Sequence, residues 1–167
     1  KSKLEIALLS VAYGCGLRRN EMHTLNTQDI QYKSGILIVV SGKNSKRREV
    51  PMSEGVIRDL KEYFINERSE YLKDHNKHNS AFFINNKGKR MDGNYLNSLL
   101  KQIVERTNDA EIMGKEITLH SLRHSIAEHL IARGASIDFV KEFLGHSEID
   151  TSFIYAVKMR NKKTFEI

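Results

Sequence analysis

Cysteine is almost missing from this 167-residue chain, Cys15 being the only one. That excludes a disulfide framework and a thiolate metal cluster, suits a reducing compartment, and makes the cytoplasm the default location. No apolar run approaches the ~20 residues needed to span a bilayer, so no membrane partner is expected. The opening residues lack the charged, apolar and small-residue order of a secretion signal. Internal repeats, low-complexity tracts and linker-like stretches are also missing, and 167 residues at 40% apolar composition suit one domain with a real core. The chain opens without a methionine, directly in an amphipathic pattern, which reads as an excised piece of a longer protein. Acid is the minority charge: 21 Asp and Glu face 27 Lys and Arg, giving a net +6 and a pI near 9.4. That balance favours an anionic partner.

Leu4, Ala7, Leu8 and Val11 recur at helical spacing until Gly14-Cys15-Gly16 interrupts them, which predicts a helix over 3–13. Leu17, Met22 and Leu25 then predict a short second helix with Arg18 and Arg19 at its start. Cations there oppose the helix dipole, so an acidic neighbour such as Glu21 is expected to hold them. The β-branched run Ile36–Val40 and the segment Arg48–Pro51 predict a hairpin, with four cations, Lys43, Lys46, Arg47 and Arg48, near its tip. Such a finger suits phosphates, although lysines also guard sheet edges against aggregation. Ser53 is expected to cap a long scaffold helix to about residue 73, and His75 and His78 fall in a polar loop. Ala81–Ile84 reads as a short buried strand and Asn86–Arg90 as a basic turn. Asp92 is expected to cap a helix whose apolar stripe includes Tyr95, Leu96, Leu99, Leu100, Ile103 and Val104. From Thr118 three helices follow, broken near Gly134 and Gly145, with Ser136 and Asp150 as caps.

His120 and Arg123 lie one helical turn apart and can serve one site. His124 is also within helical reach of His120, which raises a zinc reading. That motif needs a glutamate directly after the first histidine and a third ligand; Ser121 stands in the glutamate's place, so no metal is expected.

The combination is more specific than its parts. Thr118-Leu119-His120-Ser121-Leu122-Arg123-His124, then Leu144-Gly145-His146-Ser147, then Tyr155, resembles the signature of the tyrosine recombinases, the lambda-integrase and Xer-like family. Gly16-Leu17-Arg18 followed by Glu21 is similar to that family's first arginine box, and Lys43 falls where its β-turn lysine would be. The resemblance implies an α+β, mainly helical catalytic fold with a small antiparallel hairpin, with DNA-binding domains lying upstream. It implies Tyr155 as nucleophile, leaving a 3′-phosphotyrosyl bond and a free 5′-hydroxyl. Lys43 would be general acid, with Lys46 a competitor; His120 would accept the tyrosine proton, His146 would bond a phosphate oxygen, and Glu21 would be a buried partner of the first box. Asn20 departs from the small residue common before that glutamate.

The residue types fit this chemistry on their own terms. A tyrosine hydroxyl with a pKa near 10 needs a base and positive surroundings to attack at neutral pH. Arginines offer planar paired donors that keep their proton, so Arg18 and Arg123 can clamp the phosphate without a metal or other cofactor. Lys46, Arg47, Arg48, Lys87, Lys89 and Arg90 are expected on the DNA-binding surface. The implied partners are double-stranded attachment sites, a homotetramer on DNA and accessory bending proteins, at the nucleoid. Integration or excision of a mobile element is the leading expectation. A chromosome-dimer-resolving recombinase or a type IB topoisomerase relative shares the chemistry, and a non-catalytic basic DNA-binding module is the alternative of another class.

Overall fold

The computed structural model describes residues 2–41, 46–73, 79–145, 156, 157 and 159. Helices dominate, and side-chain caps set their starts. Helix α1, Lys3–Leu9, begins where the Ser2 hydroxyl accepts the Glu5 N–H at 3.2 Å, and it continues as a wider π-type turn over Ser10–Gly14. The glycines expected to end it do so: Gly16 has φ +60°, and a Cβ there would lie 2.8 Å from Leu144 Cδ2. Helix α2, Arg19–Thr24, follows directly.

Three antiparallel strands come next in the order β1-β2-β3: Ile30–Gln31, Ile36–Ser41 and Lys46–Pro51. The register pairs Leu37 with Val50 and Val39 with Arg48, so the two-residue period of the strands puts all four side chains on the face against the body. The expected hairpin is thus present, with one further short strand.

Ser53 caps α3, Glu54–Glu62, through the Val56 N–H at 3.3 Å, and a π-type turn, Tyr63–Glu67, leads into α4, Arg68–Tyr71. The segment expected as a buried strand, Ala81–Ile84, is buried but joins no named strand; it makes isolated bridges at Asn26–Ala81 and Ile84–Arg90. Its first two carbonyls are satisfied by a side chain, while Phe83 O takes the Met91 N–H and Ile84 O takes the Tyr63 hydroxyl. The Arg68 guanidinium donates to Ala81 O at 2.7 Å, Phe82 O at 3.2 Å and Asn79 O at 2.6 Å, taking the place of strand partners at those carbonyls.

Asp92 caps α5, Gly93–Glu105, as expected, accepting the Tyr95 N–H at 2.8 Å. The buried stripe is Leu96, Leu99, Leu100 and Ile103; Tyr95, expected within it, is 49% exposed because it lies one residue, about 100°, off that stripe. A short helix that the sequence pattern did not suggest, α6, Ala110–Met113, is capped by Asp109. Thr118 and Ser121 cap one another reciprocally at the start of α7, Leu119–Ala132, and Ser136 caps α8, Ile137–Leu144. Ala156, Val157 and Met159 are helical, and the expected cap Asp150 and the loop histidines His75 and His78 lie outside the described residues.

Among the described residues the main core has Leu8, Leu17, Met22, Leu37, Leu60, Tyr63, Phe82, Phe83, Leu96 and Leu100 at its centre, with a small satellite of Leu72, Ala81 and Ile84. Each fully buried side chain of this size contributes about 1.5–3 kcal/mol, which packing around an interlocked set of rings helps to realise. Among the described residues no helix is long and apolar enough to cross a membrane.

Candidate active site

The C-terminal turn of α8 is where distant parts of the chain meet. Its last carbonyls have no partner within the helix and carry the negative end of the helix dipole. Three arginines answer three successive ones: Arg48 Nε donates to Phe143 O at 3.1 Å, Arg123 Nη2 to Leu144 O at 2.7 Å, and Arg18 Nη2 to Gly145 O at 3.0 Å. Arg123 Nη1 also donates to Gly16 O at 2.5 Å, two residues before Arg18. The two arginines expected to act together are therefore brought to the same pair of segments, from α7 and from the start of α2.

Glu21 binds the group from the other side. Its carboxylate accepts the Arg18 backbone N–H at 2.8 Å and Arg18 Nη1 at 3.1 Å, and takes Arg48 bidentately at 2.7 and 2.9 Å. Only 5% of Glu21 is exposed. Burial alone would raise its carboxyl pKa, but the hydrogen bonds and charge of Arg48, followed by those of Arg18, outweigh it and hold the group below its ordinary value. The expectation that Glu21 is a buried holding partner fits this geometry, and so does the idea that an acid must accompany arginines at a helix start.

Arg18 keeps 32% of its side chain exposed, whereas Arg123 as a residue is 1% exposed. The clamp thus has one solvent-facing and one buried guanidinium. A phosphate that reaches Arg18 meets a cluster of three guanidinium groups, two of which, Arg18 and Arg48, are paired with the carboxylate of Glu21. Cys15, packed beneath this cluster, is inert: burial pushes its thiol up to about 12, with the Arg48 charge acting weakly the other way.

His120 lies on the exposed side of α7, one turn before Arg123. Its Nε2 is 2.6 Å from His124 Nε2, the rings meeting edge to face with centroids 4.1 Å apart. One ring donates and the other accepts, so this contact occupies His120 Nε2 and leaves its Nδ1 for another partner. Lys43, His146 and Tyr155 lie outside the described residues. The backbone of Lys46, the first residue of β3, pairs with Ser41 of β2, and its side chain is not described.

Among the other tyrosines, three are held as structure. Tyr63 is fully buried, donates to Ile84 O and accepts the Ile84 N–H, and burial pushes its hydroxyl well above the ordinary value. Burial pushes Tyr32 up to about 12, and burial followed by a hydrogen bond to Glu67 raises Tyr71. None of these is poised to ionise and attack.

Two of the cations expected on the DNA-binding surface are engaged within the chain. Arg48 has 10% of its side chain exposed, and its guanidinium is committed to Glu21 and Phe143. It is an internal strut, because the strand's period of two puts it on the same face as buried Val50. That alternation was the available signal, masked by the neighbouring cations. Arg90 donates to His23 O at 2.8 Å, Leu25 O at 3.1 Å and Asn26 Oδ1 at 2.6 Å, fastening its own loop to the segment after α2. Arg47, Lys87 and Lys89 are exposed as expected of a DNA-facing surface. Lys87 and Lys89 flank Gly88, φ +67°, on a turn whose N–H groups are gathered by Asn85 Oδ1 at 2.9 and 3.0 Å.

Comparison with known proteins gives a consistent result. The model of the phage integrase family matches residues 2–162. Tyrosine recombinase XerD of Oceanobacillus iheyensis is 35% identical over 162 residues, covering 96% of this chain and 52% of that protein. The crystal structure of XerA recombinase superposes with a TM-score of 0.78 at 27% identity, covering 96% of this chain and 57% of the other. XerH recombinase bound to a palindromic difH substrate, in a post-cleavage complex, gives a TM-score of 0.72 at 28% identity, covering 97% of this chain and 44% of the other. The chain therefore spans about half the length of these relatives, and its mainly helical fold with a small antiparallel sheet is that of the recombinase catalytic part.

Proposed function

The chain belongs to the phage integrase family, and from that premise we propose that it is the catalytic part of a site-specific recombinase that moves a mobile element by cutting and rejoining DNA. The observation that carries this reading is the arginine cluster: Arg18 and Arg123, from opposite ends of the described chain, converge on the end of α8 with Glu21 fixing the first of them. Two guanidiniums can bind the non-bridging oxygens of a phosphodiester and stabilise the charge they gain during attack.

In the proposed reaction the Tyr155 oxygen forms a bond to phosphorus and the bond from phosphorus to the 5′-oxygen breaks. The tyrosine proton passes to His120, whose Nδ1 is the atom left open, and the departing oxygen takes a proton from Lys43 on the hairpin turn. His146 donates to a phosphate oxygen. The phosphotyrosyl ester conserves the bond energy, so the reverse attack by a 5′-hydroxyl reseals the strand. Arg47, Lys87 and Lys89, with Lys46, hold the flanking phosphates. The working assembly is a homotetramer on paired sites, with bending proteins at hand, at the nucleoid of the cytoplasm.

The XerD likeness favours a second reading, resolution of chromosome dimers, through the same chemistry. One experiment addresses both. The full-length protein is expressed in its host, covalent protein–DNA adducts are trapped with denaturant, and the attached DNA is sequenced. Adducts at the two ends of a mobile element are expected, and they should vanish with Tyr155→Phe. Adducts at a single chromosomal locus would replace integration by dimer resolution. Adducts that survive Tyr155→Phe would remove Tyr155 as nucleophile, and no adducts from a protein that binds DNA would leave a binding module.

A further inference from the structure

The cation run of the hairpin is divided by the fold. Arg47 faces solvent, while Arg48 faces the body, opposite Val39, which is 2% exposed. The last described pair before the turn is Ser41 with Lys46. Arg48 is thus the inward side chain nearest the turn whose contacts are described, and they reach two different elements. Its Nη1 and Nη2 take the two oxygens of Glu21 at 2.7 and 2.9 Å, and its Nε takes Phe143 O at 3.1 Å. A bidentate pair fixes the guanidinium plane as well as its position. Gly145 closes the arrangement from above: a Cβ there would lie 2.8 Å from Arg48 Nη1 and 2.9 Å from its Cδ.

Both anchors of Arg48 are shared with the phosphate clamp. Glu21 also takes the backbone N–H and Nη1 of Arg18, and Phe143 O stands next to the two carbonyls that hold Arg123 and Arg18. One side chain therefore ties the hairpin to the clamp, five positions along the chain from Lys43.

We propose that Arg48 is a positioning residue of the cleavage reaction: it locks the β2–β3 hairpin to Glu21 and the end of α8, so that the proton donor on the turn stands at the departing 5′-oxygen. This rests on the reading of Lys43 as general acid. When the bond from phosphorus to the 5′-oxygen breaks, its electron pair goes to that oxygen, which must receive the proton from an ammonium within hydrogen-bond reach. Arg48 touches neither substrate nor proton. It acts through the lysine, and a displacement of ~1 Å at such a donor can lower the rate by about 10²-fold. A lysine in place of Arg48 keeps the charge but offers a single point donor, which cannot take both carboxylate oxygens and the carbonyl together.

The test compares two scissile linkages in single-turnover cleavage by the full-length protein. The substrate is a nicked duplex bearing the binding site selected from random-sequence DNA. In one version the leaving atom is oxygen, and in the other it is a 5′-bridging sulfur, which departs as thiolate without a proton. Arg48→Met and Arg48→Lys should each lose about 10²-fold on the oxygen substrate at unchanged DNA affinity, and should regain most of it on sulfur, as Lys43→Ala does. Arg48→Lys keeps the test open should Arg48→Met fail to fold. A loss that persists on sulfur in the Arg48 variants while Lys43→Ala is restored would mean that Arg48 serves the clamp or the fold, and the proposal would fall. If sulfur does not restore Lys43→Ala either, the acid assignment falls and takes this inference with it, whereas a covalent adduct abolished by Tyr155→Phe would still stand.

Discussion

Glu21 accepts from Arg18 and Arg48 together while almost out of reach of water, and that makes it a pH-dependent joint. Its folded-state pKa lies below the ordinary 4.5. A carboxyl depressed on folding stabilises the protein fully above its unfolded value, and that stabilisation is lost as pH falls through the lower folded value. Glu21→Gln should lower stability near neutrality by about 3–5 kcal/mol, because the buried Arg48 guanidinium loses its counter-charge and the partly exposed Arg18 loses a partner. It should also flatten the loss of stability below pH 4.5, the unfolded value of the group it removes. Urea unfolding of both proteins across that range checks this; an unchanged acid slope in the variant would mean that another carboxylate governs it. The role of Glu21 was legible in the sequence because an acid three residues after a helix-start arginine has an evident use. The roles of Arg48 and Arg90 were not, since a guanidinium in a cation run reads as a surface charge until the strand register or a carbonyl partner is known.

The end of α8 shows the same division at the scale of an element. Its boundaries were legible: Ser136 caps its start, and Gly145 follows its last residue. The gathering of Arg48, Arg123 and Arg18 on consecutive carbonyls was not, because it depends on packing between segments distant in the chain: Arg48 lies 95 positions from Phe143 and Arg18 lies 127 from Gly145, while Arg123, 21 from Leu144, comes from the neighbouring helix. Gly145 is required there twice over. Its φ of +73° is a conformation that costs an L-residue about 1–2 kcal/mol, and any Cβ would press on Arg48. Gly145→Ala should therefore lower the melting temperature by roughly 2–4 °C per kcal/mol in a chain of this size. It should also displace Arg48, seen as faster amide exchange in β3. A lowered melting temperature with β3 exchange unaltered would confine the effect to backbone strain.

For the whole molecule, the sequence carried the α+β class, the hairpin and most helix starts, because periodicity and caps are local properties. It did not carry the irregular course of Ala81–Ile84, whose hydrogen bonds come from Arg68, Tyr63 and the backbone of Leu25 and Met91, or the internal pairing of two arginines expected on DNA. With those two paired internally, the expected DNA-facing cations whose described side chains are exposed are Arg47, Lys87 and Lys89. Each lysine that neutralises a phosphate releases counterions and contributes about 0.9 to the slope of log affinity against log salt. Replacing Lys87 and Lys89 together by glutamine should flatten that slope by about 2, weakening binding evenly across sequences, while Arg90→Gln should leave the slope unchanged and lower stability instead. Affinity measured over a salt series, with thermal unfolding alongside, separates the two effects. A slope insensitive to Lys87 and Lys89 would place the turn at Asn85–Arg90 outside the DNA footprint, and a slope that responds to Arg90 would mean that its clip to His23 and Leu25 opens when DNA binds.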